Sequence, residues 1–451
     1  MADFFERVFK VRSSGSTVRR EILGGLTTFL TMAYIIVVNP KILAISGMPV
    51  ESAILATILA SALSTLLMAF VANLPIALAP GMGLNAFFVF SINAVYQDWR
   101  ASLGVVLVVS VVFLALTVSR ARALITAAVP RTLRFSAAAG IGLFIAMIGF
   151  QQAGLVEDHP VTLVTLGKLT SPYVLLALLG LAIILVLLAR GVKTAVFWGM
   201  CVTALVAVLC GHVSVEGAWV REPSWHIPGL EVNLNATFAP EHIFDLVSLG
   251  IVLLFFSIFD AMGTLYAVGT EAELVDEDGN FPELGRALAV DATGAVAGAT
   301  LGTSSVTCYI ESATGVHVGA RTGLANVITA LCFLAALFLM PIVVALVSGF
   351  EVEGKSLLNP VTAPALIVVG VFMVRSVARL DWNDLTEAVP AFLTMVVMPF
   401  SYNISHGLAA GFVSYAVMKT AAGRRREVHW LVYLVAILFA LRYLLIPEID
   451  D

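Results

Sequence analysis

The chain of 451 residues is 60% hydrophobic and only 12% charged, with a mean hydropathy of +0.99, whereas about a quarter of a soluble globular chain is charged. At about 20 apolar residues per membrane crossing, a dozen or more crossings take up most of this length and exclude a sizeable soluble catalytic or nucleic-acid-binding domain. Its 25 basic and 30 acidic residues give a net charge of −5, so no overall basic field attracts a polyanion.

Residues 1–20 (MADFFERVFKVRSSGSTVRR) have neither the apolar run nor the small-residue cleavage site of a signal peptide. The first crossing is expected to serve as its own targeting signal. Apolar windows follow at 22–44, 52–73, 75–95, 103–119, 135–154, 173–189, 194–211, 246–269, 286–302, 303–318, 322–348, 363–378, 386–402 and 404–419, with a further one at 428–446. The positive-inside rule puts the N-terminal Arg7, Lys10, Arg12, Arg19 and Arg20 in the cytoplasm. Even-numbered crossings then end inside. They are followed by Arg120, Arg122, Arg131 and Arg134, by Arg190 and Lys193, by Arg375 and Arg379, and by Lys419 and Arg424 to Arg426. The window 428–446 is left as either a fifteenth crossing or a segment lying against the membrane. On this count the polar connection 212–245 is extracytoplasmic. Its Asn235-Ala236-Thr237 is a formal glycosylation acceptor, read here as chance. The acidic run Asp276–Asn280 has its glycine too early for a calcium loop and reads as a solvated turn. Cys201, Cys210, Cys308 and Cys332 form no CxxC pair and read as small buried hydrophobes. None of the seven histidines stands at metal-ligand spacing, so neither metal nor cofactor is indicated.

Seven crossings on each side of 212–245 predict two halves of opposite orientation, an inverted repeat. One segment in each half is interrupted. Ile76–Phe90 contains Pro80, Gly81 and Gly83, and Gly302–Gly315 opens with the β-favouring run Ser304, Ser305, Val306 and Thr307. Interrupted apolar segments at matching places are the best sequence pointer to a carrier's binding site, since broken backbone at membrane depth is tolerated only where protein or a water-filled cavity satisfies it.

Three acids lie well inside apolar windows: Asp260, Asp291 and Glu311. Each is a functional candidate, because an ionisable group at mid-membrane costs at least about 2.5–3.5 kcal/mol. Thr264 follows Asp260 by one helical turn. Glu311 follows Tyr309 at the expected start of the second broken helix, where the dipole favours a carboxylate. Two carboxylates near helix breaks can grip the N–H edges of a neutral heterocycle and take up protons. Asp291 instead heads the face Gly294, Gly298, Gly302, and reads as a helix-organising hydrogen bond beside a close contact. Asn85 offers both donor and acceptor. Phe87, Phe88 and Phe90 read as packing ahead of a stacking surface.

RREILGGLTTFLTMAYIIVVNP (19–40), APGMGLNAFF (79–88), FDAMGTLYAVG (259–269), GTSSVTCYIESATGV (302–316) and TEAVPAFLTMVVMP (386–399) resemble the adenine/guanine/hypoxanthine permease branch of the xanthine–uracil permease superfamily, the nucleobase–ascorbate transporter fold. The resemblance runs from about residue 18 to the last apolar segment. It implies an all-α polytopic membrane protein with fourteen crossings in a 7+7 inverted repeat. The third and tenth would begin with short antiparallel strands. A core domain would comprise 22–119 and 246–348, and a gate domain 135–211 and 363–446. It further implies proton-coupled uptake of a purine base across the cytoplasmic membrane, the core sliding against the gate, and a homodimer. By resemblance Asp260 holds the base, Glu311 with Tyr309 beside it is the tenth-crossing carboxylate, and Asn85 with Gly83 is the contact from the third. Where many uracil- and xanthine-type relatives have a histidine one turn after the eighth-crossing acid, this chain has Thr264, which weakens transfer of a histidine-based proton relay. Xanthine, uracil or another small solute is the alternative cargo. An intramembrane aspartyl protease using Asp260 and Asp291 is a remote one, because neither aspartate has the Gly-x-Gly-Asp surroundings that chemistry needs.

Overall fold

A computed structural model describes residues 2–119, 130–211, 226–276, 281–347, 350–352 and 355–445. Arg120, Arg122, much of the 212–245 connection, residues 277–280 of the acidic run and residue 446 lie outside the described residues. Each apolar window becomes a helix or broken helix. Among the described residues seven are long and apolar enough to cross a membrane: Val18–Ala44, Val50–Ala72, Trp99–Val118, Arg131–Gln152, Pro172–Ala189, Pro240–Glu271 and Gly323–Ala345. Between and after them, in the predicted order, stand Met82–Tyr96 and Ala195–Leu209, Leu284–Leu301, Ser312–Val318, Ala363–Val374, Leu385–Phe400, Ile404–Ala421 and Trp430–Leu445. Polar residues set the starts. Asp98, Asp384 and Asn403 each accept a backbone N–H at the head of the fourth, thirteenth and fourteenth segments. Pro172 opens the sixth, where its missing N–H costs nothing.

The helices form two packed groups. In one, the first, second, fourth, ninth, tenth and eleventh segments pack together and the eighth lies against the fourth. In the other, the fifth packs on the twelfth and thirteenth, the thirteenth on the fourteenth, and the sixth on the seventh and twelfth. The chain is thus an all-α polytopic membrane protein with the 7+7 inverted-repeat fold. The strands Leu78–Pro80 and Val306–Cys308, one from each half, pair antiparallel with Leu78 opposite Cys308 and Pro80 opposite Val306. Contacts at the segment ends sort into two faces. On the basic face Asn73 links the Phe9 carbonyl (3.0 Å) to the Gly323 N–H (2.9 Å), and Ser16 donates to the Gly319 carbonyl (2.8 Å). On the opposite face Tyr96 donates to the His242 carbonyl (3.4 Å), and Arg100 pairs with Glu231 (2.7 Å).

Glu21, in the first segment, is fully buried and accepts the backbone N–H groups of Arg321 (2.9 Å), Thr322 (3.3 Å) and Ala325 (3.2 Å). It satisfies the free donors at the head of the eleventh segment with a charge of the sign that end favours. Glu21→Ala is expected to destabilise the folded protein by about 2–4 kcal/mol, read as a lowered unfolding midpoint in detergent.

Two expectations need correction or refinement. Cys308 is buried, but Cys201 and Cys210 are exposed and Cys332 is half-buried. The seventh segment stands at the perimeter, and lipid is as apolar as the interior, so a cysteine there gains nothing by being covered. The close contact of the glycine face is made with more than one partner. A Cβ on Gly294 would meet Ser64 of the second segment at 3.0 Å, and one on Gly298 would meet Val306 of the tenth segment's own strand at 2.7 Å. Thr237 of the Asn235-Ala236-Thr237 run is fully buried, its hydroxyl bonded to the Ala101 carbonyl (2.9 Å).

Candidate functional site

The two strands meet in the middle of the bundle, and their backbone groups are satisfied by each other and by side chains from neighbouring helices. Gly81 N–H donates to Ser305 O (3.1 Å) and Tyr309 N–H to Ala77 O (2.9 Å), which extends the short ladder at both ends. The Thr65 hydroxyl of the second segment both donates to and accepts from Leu78 (3.0 Å each). Ser312 accepts the Ala77 N–H (3.0 Å), and the Asn326 amide donates to Leu74 O (2.9 Å) and Ile76 O (2.8 Å). Asp291 accepts the Cys308 N–H at 2.8 Å, so its bond organises a strand and not the helix interface read from the sequence. Dry surroundings would make these groups costly if unpaired.

A cavity of about 680 Å³ opens beside this crossing, between the third and eighth segments on one side and the fifth, twelfth and fourteenth on the other. Asp260, Thr264 and Gly83 line it. Asp260 is exposed, but to the cavity and at the middle of a 29-residue helix. The Thr307 hydroxyl of the tenth segment's strand makes no hydrogen bond of its own and lies near the carboxylates of both Asp260 and Asp291. The other three candidates sit in the wall behind. Asn85 is fully buried and its Oδ1 accepts the Ser304 hydroxyl, leaving Nδ2 without a partner. Tyr309 donates to the Pro80 carbonyl at 2.5 Å, bracing the first break from the second. Glu311 stands at the head of the short helix Ser312–Val318 and accepts the Tyr34 hydroxyl at 2.7 Å.

Several groups here escaped the sequence reading. Tyr34 lies where the first segment breaks between Val18–Met32 and Ile35–Ala44, and the only local signal was Pro40 shortly after it. Arg134 places its guanidinium 4.8 Å over the Phe259 ring and Arg379 sits 5.5 Å over Phe135, all four on the cavity wall toward the basic face. In sequence the two arginines mark only the positive-inside face. Phe87 and Phe88 are fully buried and Phe90 nearly so, as packing residues.

The xanthine/uracil permease model, described as a permease family, matches residues 19–410. The chain belongs to that family. The permease is 44% identical to adenine permease AdeP of Escherichia coli (strain K12), over 98% of this chain and 96% of that one. It is 41% identical to guanine/hypoxanthine permease PbuO of Bacillus subtilis (strain 168), over 96% and 98%. Among solved structures, the transmembrane domain of a cyanobacterium bicarbonate transporter, BicA, superposes with a TM-score of 0.62 at 15% identity, over 87% of this permease and 97% of that chain. That likeness shows the fold. The family makes the protein a multi-pass membrane transporter and not an enzyme, so the protease reading falls.

Thr264 sits one turn from Asp260 on the cavity wall. Thr264→Ala is expected to change the KM for one base against another by about 3- to 10-fold, the scale of one neutral hydrogen bond, with protein levels unchanged. Competition uptake in whole cells checks it.

Proposed function

We propose that the permease is a secondary carrier that imports purine nucleobases (adenine, guanine or hypoxanthine) by proton symport. A core of residues 22–119 and 246–348 moves elevator-fashion against a gate of 135–211 and 363–446. The observation that carries the reading is the carboxylate of Asp260 on the wall of the cavity beside the strand crossing, where the two proposed bodies meet. Purine bases are flat, nearly neutral and rich in N–H donors. A site built around a hydrogen-bond acceptor selects for such a donor far better than apolar contact can. The names of the relatives, adenine permease and guanine/hypoxanthine permease, support the same cargo.

In this reading Asp260, Thr264 and Gly83 touch the base. Asn85, Tyr309 and Glu311 act from behind, holding the strand ends and supplying the second acid. Asp260 and Glu311 are the proposed proton carriers: either binds a proton, and that proton leaves when the surroundings change. The distribution of Arg and Lys supports placement in the cell membrane with the N-terminus in the cytoplasm. A homodimer belongs to the reading and is tested by the mass of the detergent-solubilised particle.

The test is uptake of labelled adenine, guanine and hypoxanthine at two external pH values, with xanthine and uracil as unlabelled competitors and a protonophore as control. Saturable purine uptake, faster at the lower pH and lost with the protonophore, is the expected result. Uptake of uracil or xanthine in preference to the three purines would move the assignment to the alternative cargo. Purine uptake indifferent to the protonophore would remove the symport.

A further inference from the structure

The apolar window after the fourteenth crossing packs along its whole length against that crossing. Tyr433 meets Thr420 (2.8 Å), Phe439 meets Phe412 (ring centroids 6.3 Å apart) and Tyr443 meets His406 (5.4 Å). These contacts run from one end of Ile404–Ala421 to the other, so the helix Trp430–Leu445 is antiparallel to it. A helix lying flat on the basic face would touch only the Thr420 end. A turn tied down by Lys419, buried and paired with Glu387 (2.6 Å) and Glu427 (3.1 Å), reverses the chain between the two. The last helix therefore starts at the basic face and ends at the opposite one, as a fifteenth crossing.

Near its far end it touches the other helix group. Arg442, 12% exposed, lies 3.1 Å from Asp245, 6% exposed, at the head of the eighth segment. Further contacts tie the two groups on this same face. The rings of Phe90, Phe144 and Tyr402 cluster with centroids 4.9–5.4 Å apart, and Ser91 bonds Asn403 and the Ser405 N–H at 3.2 Å each. Tyr402 holds a φ of +51°, a conformation rare for a non-glycine residue that has to be imposed by its surroundings. The cavity runs along the eighth helix from Val252 past Asp260 to Thr270 and reaches Arg134 and Arg379 at the basic face. The contacts between the groups on the opposite face lie beyond its Val252 end.

We propose that Asp245 and Arg442 form an outer latch, with half of it on a fifteenth crossing, that holds the cavity open toward the basic face and must part before the cavity opens to the other side. The inference rests on the carrier reading above. Two opposite charges in an apolar interface hold each other because either one left alone there is costly. The pair is also releasable. No aligned hydrogen bond joins Arg442 to Asp245, and Arg442 lies close enough to the surface for its long side chain to reach it.

Gly263 supplies a reporter, because it lines the cavity and a Cβ there would meet nothing within 4 Å. In a background with Cys201, Cys210 and Cys332 changed to serine, Gly263→Cys is combined with Asp245→Cys and Arg442→Cys, the latter two bridged by a short reducible bifunctional thiol reagent. Membrane-impermeant maleimide is then applied from either face in intact cells and inverted vesicles. The bridged protein is expected to label at position 263 from the basic face only and to take up no purine, and cleaving the bridge restores both. A bridged protein that still labels from both faces overturns the latch and leaves the carrier reading standing. Labelling from one face alone in unbridged protein that takes up no purine overturns the carrier reading and the latch with it, and the same labelling in transporting protein overturns the latch alone. If Asp245→Cys does not reach the membrane, Arg442→Gln decides. Its labelling from the opposite face is expected to rise about tenfold, and no rise counts against the latch.

Discussion

Asp260→Asn is expected to lower purine uptake at least about 100-fold while the protein reaches the membrane at the normal level. The asparagine keeps the shape of the side chain but removes its charge, and it replaces one of two acceptors with a donor. The base would lose charge-assisted bonds of about 1.5–3 kcal/mol each and meet a donor facing its own N–H groups. The proton proposed to travel with it would lose one of its two sites. Little else depends on the carboxylate: Asp260 lines a cavity, so the change leaves no packed neighbour uncovered. Asp260→Glu restores the charge one methylene too far out, and a partial recovery with raised KM is expected. Initial rates of labelled-purine uptake, normalised to surface protein, check both.

Glu311→Gln is the second large effect, an expected loss of about 30-fold or more. Glu311 does not line the cavity. It accepts the Tyr34 hydroxyl, and in the proposed function it is the second proton carrier. Glutamine keeps that bond's geometry and removes the charge, which separates a proton-carrying role from a bracing one. Tyr34→Phe does the reverse. It removes one charge-assisted bond, worth about 1.5–3 kcal/mol, leaves the acid, and is expected to raise KM about tenfold with a smaller effect on the maximal rate. A Glu311→Gln variant that transports normally, beside a Tyr34→Phe variant that does not, would make Glu311 a brace only.

The fold was legible because its signals are local. Apolar length marks the crossings, Pro80 with Gly81 marks one break, and the hydroxyl-rich run before Thr307 marks the other. Asp260 was legible for the same reason, as a lone acid in LLFFSIFDAMG. What stayed hidden depends on partners far away in the chain. Tyr34 and Glu311 are 277 residues apart, and Glu21 caps a helix about 300 residues later. Nothing near either residue announces those bonds. Polar residues at a break were also ambiguous in kind, because a broken backbone demands hydrogen-bond partners just as a ligand does. Asn326, Thr65 and Asp291 answer to the backbone, and Asp260 and Thr264 to the cavity, yet in sequence all five are polar groups in apolar runs. The course of the last apolar window was set by its packing on the fourteenth crossing, which periodicity does not encode.

Equilibrium binding of labelled purine to purified protein, wild type beside Asp260→Asn, tests most directly whether the acid-lined cavity holds the base. Saturable binding displaced by unlabelled adenine, guanine or hypoxanthine, and absent from Asp260→Asn, is the predicted result. Equal affinity in the two proteins would contradict the account.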